Sequence, residues 1–81
     1  MHDFKLKNNR LYCERVAVSR IADAVGTPVY VYSRHTLIDH FRKLSRAFRR
    51  IRPMICFSVK ANGNLAILKI LVGQGAGLDI V

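Results

Sequence analysis

A primary amine placed where a buried strand ends can act as a nucleophile, and one lysine of this sequence has that setting. Lys60 follows Met54-Ile55-Cys56-Phe57-Ser58-Val59, a run that is nearly all apolar and does not alternate. Such a run reads as a strand buried on both faces, the pattern of a parallel sheet. In parallel α/β folds, binding and catalysis gather at the carboxyl ends of the strands. A lysine leaving a buried strand is partly desolvated, which disfavours the ammonium form and favours the nucleophilic amine. Amine nucleophiles form Schiff bases with aldehydes. On position alone, however, a solvent-facing loop lysine is the more ordinary reading, since strand ends are only enriched in functional residues.

The elements around Lys60 form a short α/β series. Residues 60–63 read as a loop. Asn64 can cap a helix whose apolar surface comes largely from Leu65, Leu68, Ile70, Leu71 and Val72. Gly73, Gly75 and Gly77 break that helix, and Leu78-Asp79-Ile80-Val81 begins another apolar strand. The whole is a strand, a helix and a strand, which predicts a parallel pair with a right-handed crossover. Asp79 then lies within the strand that follows Lys60. Two parallel strands cannot close a core, so the expectation is of an incomplete architecture.

Upstream, residues 3–18 read as extended. Phe4, Leu6, Leu11, Cys13, Val16 and Val18 suggest short alternating strands around an Asn8-Asn9 turn. Ser19 looks like the cap of a short helix with Ile21, Ala22 and Val25 on its apolar side. Gly26 is its expected stop, and Pro28 prevents continuation. Residues 29–32, Val-Tyr-Val-Tyr, are β-prone. Ser33 begins a second helix. Its apolar stripe is Leu37, Phe41, Leu44, Phe48 and Ile51, opposite Arg42, Lys43, Arg46, Arg49 and Arg50. Pro53 closes the segment.

The bulk numbers bound the classes. With 81 residues there is room for one small core, and 51% apolar residues exclude a disordered tail. Fourteen Lys and Arg against five Asp and Glu give a net charge of +9, which raises a nucleic-acid or anionic-membrane reading. Cys13 and Cys56 match no metal-ligand spacing, so no metal is expected, and Cys56 reads as a small buried hydrophobe. Residues 1–5 contain no apolar signal core, and no apolar run approaches a membrane span. Reduced thiols and a cytoplasmic setting are the expectation.

The motif around the lysine carries more than its position. Phe57-Ser58-Val59-Lys60-Ala61-Asn62, followed by Asn64-Leu65 and a helix, resembles the cofactor-lysine motif of the alanine-racemase-like, fold-type III pyridoxal-phosphate-dependent decarboxylases. Asp3-Phe4-Lys5, Leu11-Tyr12-Cys13-Glu14 and Gly26-Thr27-Pro28-Val29-Tyr30-Val31-Tyr32 are similar to the opening of those members that convert meso-diaminopimelate to L-lysine. Gly75-Ala76-Gly77-Leu78-Asp79-Ile80-Val81 is similar to their second barrel strand.

The resemblance implies an α/β fold: the first strands and helices of a (β/α)8 TIM-like barrel. It places residues 1–18 in an extended segment that pairs with a carboxy-terminal β-domain in full-length members, and residues 19–81 at the start of the barrel. It implies pyridoxal 5'-phosphate as cofactor, a small amino-acid substrate, and a homodimer in the full-length family. Lys60 is the implied Schiff-base and catalytic lysine. Ser58, at a position commonly Ala, and Asp79 are the implied cofactor neighbours. The cofactor supplies the electron sink for loss of carbon dioxide, and the protein supplies orientation and electrostatics.

Three other readings compete. A basic nucleic-acid module would use Arg42 to Arg52, but those residues fit the solvated face of an amphipathic helix, and no nucleic-acid motif accompanies them. Another barrel member, an ornithine or arginine decarboxylase or an alanine racemase, fits less well at residues 3–4 and 26–28, and the racemase Tyr-Gly-His-Gly string is absent. Finally, the chain could be a truncated product or one piece of a split enzyme. The unclosed sheet then implies that it is inactive alone, and poorly folded or associating through its strand edges.

Overall fold

A computed structural model describes residues 2–80. The chain divides into two compact units, with the boundary between Thr36 and Leu37.

The first unit is built on a meander. Strands β1 (Phe4–Lys7) and β2 (Arg10–Cys13) pair antiparallel, with Phe4 opposite Cys13 and Lys7 opposite Arg10. The two residues between them, Asn8 and Asn9, both take positive φ, 53° and 62°. Asn tolerates this left-handed region, and such two-residue turns match the twist of a hairpin. The expected Asn8-Asn9 turn is therefore present. A second turn at Glu14 and Arg15 leads into β3 (Val16–Ala17), which pairs Tyr12 with Ala17 and Cys13 with Val16. Cys13 and Ala17 are the buried members of this sheet.

Helix α1 (Val18–Val25) starts directly from β3. Val18 is thus helical rather than extended. The cap position is Ala17, with no side-chain cap bond, so Ser19 lies inside the first turn and does not cap. The helix begins early because extended Ala17 passes straight into it, leaving no loop for Ser19 to occupy. Gly26 ends the helix as expected, at φ 84°, its N–H donating to the Ala22 carbonyl at 2.7 Å. Residues 29–32 join neither sheet. A β-prone run becomes a strand only where a ladder partner is available. Helix α2 (Arg34–Ala47) follows, with its first turn in this unit.

In the second unit, Leu37 and Phe41 of α2 pack with Phe57 against buried Ile67, Leu71 and Ala76. The stripe stops sooner than its spacing predicts. Phe48 and Ile51 fall beyond the helix, in a turn where Ile51 N–H donates to the Phe48 carbonyl at 3.1 Å. Arg52 takes φ 46°, and Pro53 follows. The residue before a proline disfavours helical geometry, so the helix cannot run on through Arg52.

Strands β4 (Cys56–Ser58) and β5 (Gly77–Asp79) are parallel and joined by helix α3 (Leu65–Gly73), so the strand–helix–strand expectation holds. Val81 lies outside the described residues. The first strand is shorter than residues 54–59 and is not buried on both faces. Cys56 is exposed, and Phe57 and Ser58 are half-buried. The reason is that this sheet has two strands, so each is an edge. Cys56 is consequently not the buried hydrophobe its apolar neighbours suggest. The buried side of α3 is Ile67, Leu68 and Leu71, whereas Leu65 and Val72 are exposed.

Candidate functional site

Lys60 is not on an open loop. It is the middle residue of a single 3-10 turn, Val59–Ala61, that leaves β4 directly. Asn62 N–H closes that turn on the Val59 carbonyl at 3.1 Å. Asn62 Oδ1 then accepts the Asn64 N–H at 2.9 Å. Asn64 Oδ1 accepts from Ala66 N at 2.9 Å and Ile67 N at 3.4 Å, capping α3. Four consecutive local bonds therefore hold the backbone that carries Lys60, and two short amide side chains supply three of them. This is the ordinary work of Asn at turns and helix starts, and it was readable in the sequence.

The parallel register sets Ser58 opposite Asp79. Neighbouring strands lie about 4.8 Å apart, so these two backbones are adjacent at the end of the sheet from which Lys60 leaves. Tertiary structure thus brings Ser58 and Asp79 together across 21 residues of sequence, with Lys60 two positions beyond Ser58. Lys60 itself is exposed, and neither ion pair among the described residues involves it. The desolvation expected of a lysine leaving a buried strand is therefore absent. An accessible amine at a strand's carboxyl end is nonetheless the donor that a Schiff base with an aldehyde requires.

A second polar cluster lies in the first unit, and no sequence pattern joins its members. Glu14 Oε2 accepts the Ser33 hydroxyl at 2.8 Å and the His35 N–H at 3.0 Å. Ser33 Oγ in turn accepts the Thr36 N–H at 3.0 Å, so Ser33 caps α2. Asp3 Oδ2 accepts the Thr36 hydroxyl at 2.7 Å and lies 2.8 Å from His35 Nδ1. The Asp3 N–H donates to Thr36 Oγ1 at 3.0 Å. The bond with His35, then that with Thr36, holds the Asp3 carboxyl below the usual carboxylate range. The His35 backbone N–H, then the Ser33 hydroxyl, does the same for Glu14. Every carboxylate bond just described ties the meander to the start of α2. The cluster is a clasp between β-turns and helix, which suits Ser33 being the one buried polar residue of the described chain. Ser33 was legible as a helix start; partners 19 and 33 residues away in sequence were not.

No helix among the described residues is long and apolar enough to cross a membrane. No protein-family model matches the chain. The chain is 48% identical over 71 residues to the diaminopimelate decarboxylase of Neisseria meningitidis serogroup A, a match covering 88% of this chain and 18% of the relative. It is 44% identical over 81 residues to the Pseudomonas aeruginosa diaminopimelate decarboxylase, covering 100% of this chain and 20% of that one. The Haemophilus influenzae enzyme of the same name matches at 43% over 81 residues, with 20% of its length covered. Among solved structures, the crystal structure of diaminopimelate decarboxylase from M. jannaschi superposes with a TM-score of 0.88 at 29% identity, over 98% of this chain and 20% of that one. The fold is mixed α/β and matches part of that enzyme. The chain is similar to these decarboxylases and spans about a fifth of their length.

Proposed function

From that similarity we propose that the chain is the amino-terminal piece of a diaminopimelate decarboxylase, a lyase that removes carbon dioxide from meso-diaminopimelate and leaves L-lysine. The likeness of the whole chain to a stretch of these enzymes carries the reading. The placement of Lys60 supports it: an exposed amine on a bonded turn at the carboxyl end of β4, beside the Ser58–Asp79 pair.

In this reading β4, α3 and β5 are the opening of a (β/α)8 barrel. Residues 1–18 are the extended segment that joins a carboxy-terminal β-domain, and residues 19–81 start the barrel. Lys60 would hold pyridoxal 5'-phosphate through its amine. The cofactor, when bound, supplies the electron sink for the pair released with carbon dioxide. The rest falls to this chain's own groups. The Asn62 and Asn64 bonds hold the backbone from which the Lys60 side chain leaves. Asp79 on the neighbouring strand and the Ser58 hydroxyl opposite it would be the polar groups beside the bound cofactor. Substrate selection, phosphate binding and the partner contacts of a homodimer belong to the remaining four-fifths of such an enzyme. The 81 residues supply the anchor and not the complete activity, and the setting is cytoplasmic.

The test is direct. Incubate the chain with pyridoxal phosphate, reduce with borohydride, and locate the adduct by mass spectrometry. The expected result is preferential modification of Lys60 over Lys5, Lys7, Lys43 and Lys69. Even labelling of all five lysines would sink the assignment of a formed site at Lys60.

A further inference from the structure

We propose that a hollow at the carboxyl end of α2 binds a small, multiply charged phosphate-type anion. Its lining includes Arg42, Arg46, Arg49 and Arg52, with Phe41 as its apolar wall and Gln74 from the end of α3. The hollow measures about 490 Å³. Among the described residues no carboxylate lines it. The stretch from Arg42 to Arg52 holds six cationic residues and no acidic one. The one acidic residue of α2's second-unit portion, Asp39, holds Lys43 at 3.0 Å instead.

Three observations separate this from an ordinary solvated face. First, the stripe is converted into a concavity. Arg42 and Arg46 are one helical turn apart, α2 ends at Ala47, and the turn closed by Phe48, with Arg52 at φ 46°, brings Arg49 and Arg52 to the same hollow. Second, Arg42 is held in place, its Nε donating to Gln74 Oε1 at 3.0 Å, and Arg49 Nη1 donates to the Arg46 carbonyl at 3.2 Å. Each guanidinium has five N–H donors, so these bonds leave most of them for a ligand. Third, four like charges around one concavity repel each other, and an anion is the partner that relieves this. Guanidinium forks match phosphate oxygens bidentately, which favours phosphate over a single-point anion. A single hollow, rather than a stripe along the helix, favours a small anion over a nucleic-acid strand.

The location is informative. Arg52 precedes β4 and Gln74 precedes β5, whereas Lys60 follows β4. In a parallel pair these are opposite ends of the strands. The hollow is therefore not where a cofactor held by Lys60 would place its phosphate, and its ligand is a separate one.

The experiment titrates the 81-residue chain with inorganic pyrophosphate by calorimetry and follows the arginine Nε–H signals by NMR. Saturable binding is expected, weakening as salt rises, with the largest shifts at Arg42, Arg46, Arg49 and Arg52. The Arg46→Gln/Arg49→Gln pair is expected to lose affinity by about tenfold, the loss of two charge-assisted forks. A control pair with the same change of charge, Lys5→Gln/Lys7→Gln on β1, should lose far less. Equal losses in both pairs, or wild-type shifts spread evenly over Arg10, Arg15, Arg20 and Arg34, would overturn the proposal. So would no binding by the wild-type chain, or tight binding of a duplex oligonucleotide that pyrophosphate does not displace.

Discussion

Ser58 and Asp79 face each other across the parallel ladder of β4 and β5, and Lys60 leaves that same end of the sheet one residue past Val59. The pairing makes Asp79 the acidic residue placed beside Lys60's strand by backbone geometry alone. It predicts that Asp79→Asn lowers the yield of borohydride-trapped pyridoxal adduct at Lys60 while the yield at Lys69 is unchanged. Lys60→Ala should remove that adduct and leave the others. Adduct at Lys60 that is indifferent to Asp79 would assign the carboxylate a structural role only.

Asn64 bonds two otherwise unpaired N–H groups of α3. Replacing it with Ala should cost about 1 kcal/mol of helix stability, the usual loss of such a cap. The local readout is amide hydrogen exchange, which should quicken first at Ala66 and Ile67. The bond to Asn62 Oδ1 uses the Asn64 backbone N–H and survives this change, so the preference for labelling Lys60 should persist; Asn62→Ala, which removes that acceptor, is the variant that should blunt it. Unchanged exchange at both amides would refute the cap's contribution.

The clasp of Asp3 and Glu14 on the start of α2 makes the first unit acid-sensitive. Both carboxyls titrate below their ordinary values when folded. A depressed folded value means that the stabilisation is fully present above the unfolded values, near pH 4, and is lost as pH falls through the folded ones. Amide exchange at His35 and Thr36 should therefore accelerate on acidification below about pH 4, beyond the intrinsic pH trend. Glu14→Gln should flatten that change at His35. An acid response of the same size in Glu14→Gln would place the sensitivity elsewhere.

Gly77 stands opposite Cys56 where the strands approach closely. A Cβ built at Gly77 would lie 2.9 Å from Cys56 Sγ and 3.6 Å from Met54 Sδ. Gly77→Ala should destabilise the β4–β5 pairing by about 1 kcal/mol, the low end for overpacking because the exposed Cys56 side chain can turn aside. In a Cys56→Ala background most of that cost should vanish, and a double-mutant cycle read by urea denaturation or exchange at Leu78 measures it. A cost that is the same in both backgrounds would mean that the strands meet differently.

The local elements were legible where one short signal sufficed. Asn8-Asn9 marked a hairpin because few residues accept positive φ twice in a row. Asn64 marked a helix start because its side chain can bond the N–H groups just ahead of it. The stop at Gly26 followed from backbone freedom. The errors arose where neighbours decide. Ser19 failed as a cap because β3 runs into α1 without a loop. Residues 29–32 have strand propensity and no ladder. The apolar stripe of α2 continues by spacing to Ile51, but the helix ends at Ala47 and the chain passes into a turn.

By itself the sequence determined the residue types and their order: a lysine after an apolar run, a capped helix, then glycines and an acidic strand. Those are local matters of propensity, capping and motif, and they were enough to point to Lys60. Only tertiary structure decided the rest. The parallel register sets Ser58 against Asp79, and the meander's folding brings Asp3 and Glu14 to Ser33, His35 and Thr36. The end of α2 gathers Arg42, Arg46, Arg49 and Arg52 around one hollow. It also decided burial, leaving Cys56 and Lys60 exposed. The physical reason is the same throughout. Register, burial and charge clustering are set by which distant segments meet, and a one-dimensional pattern carries no distance between them.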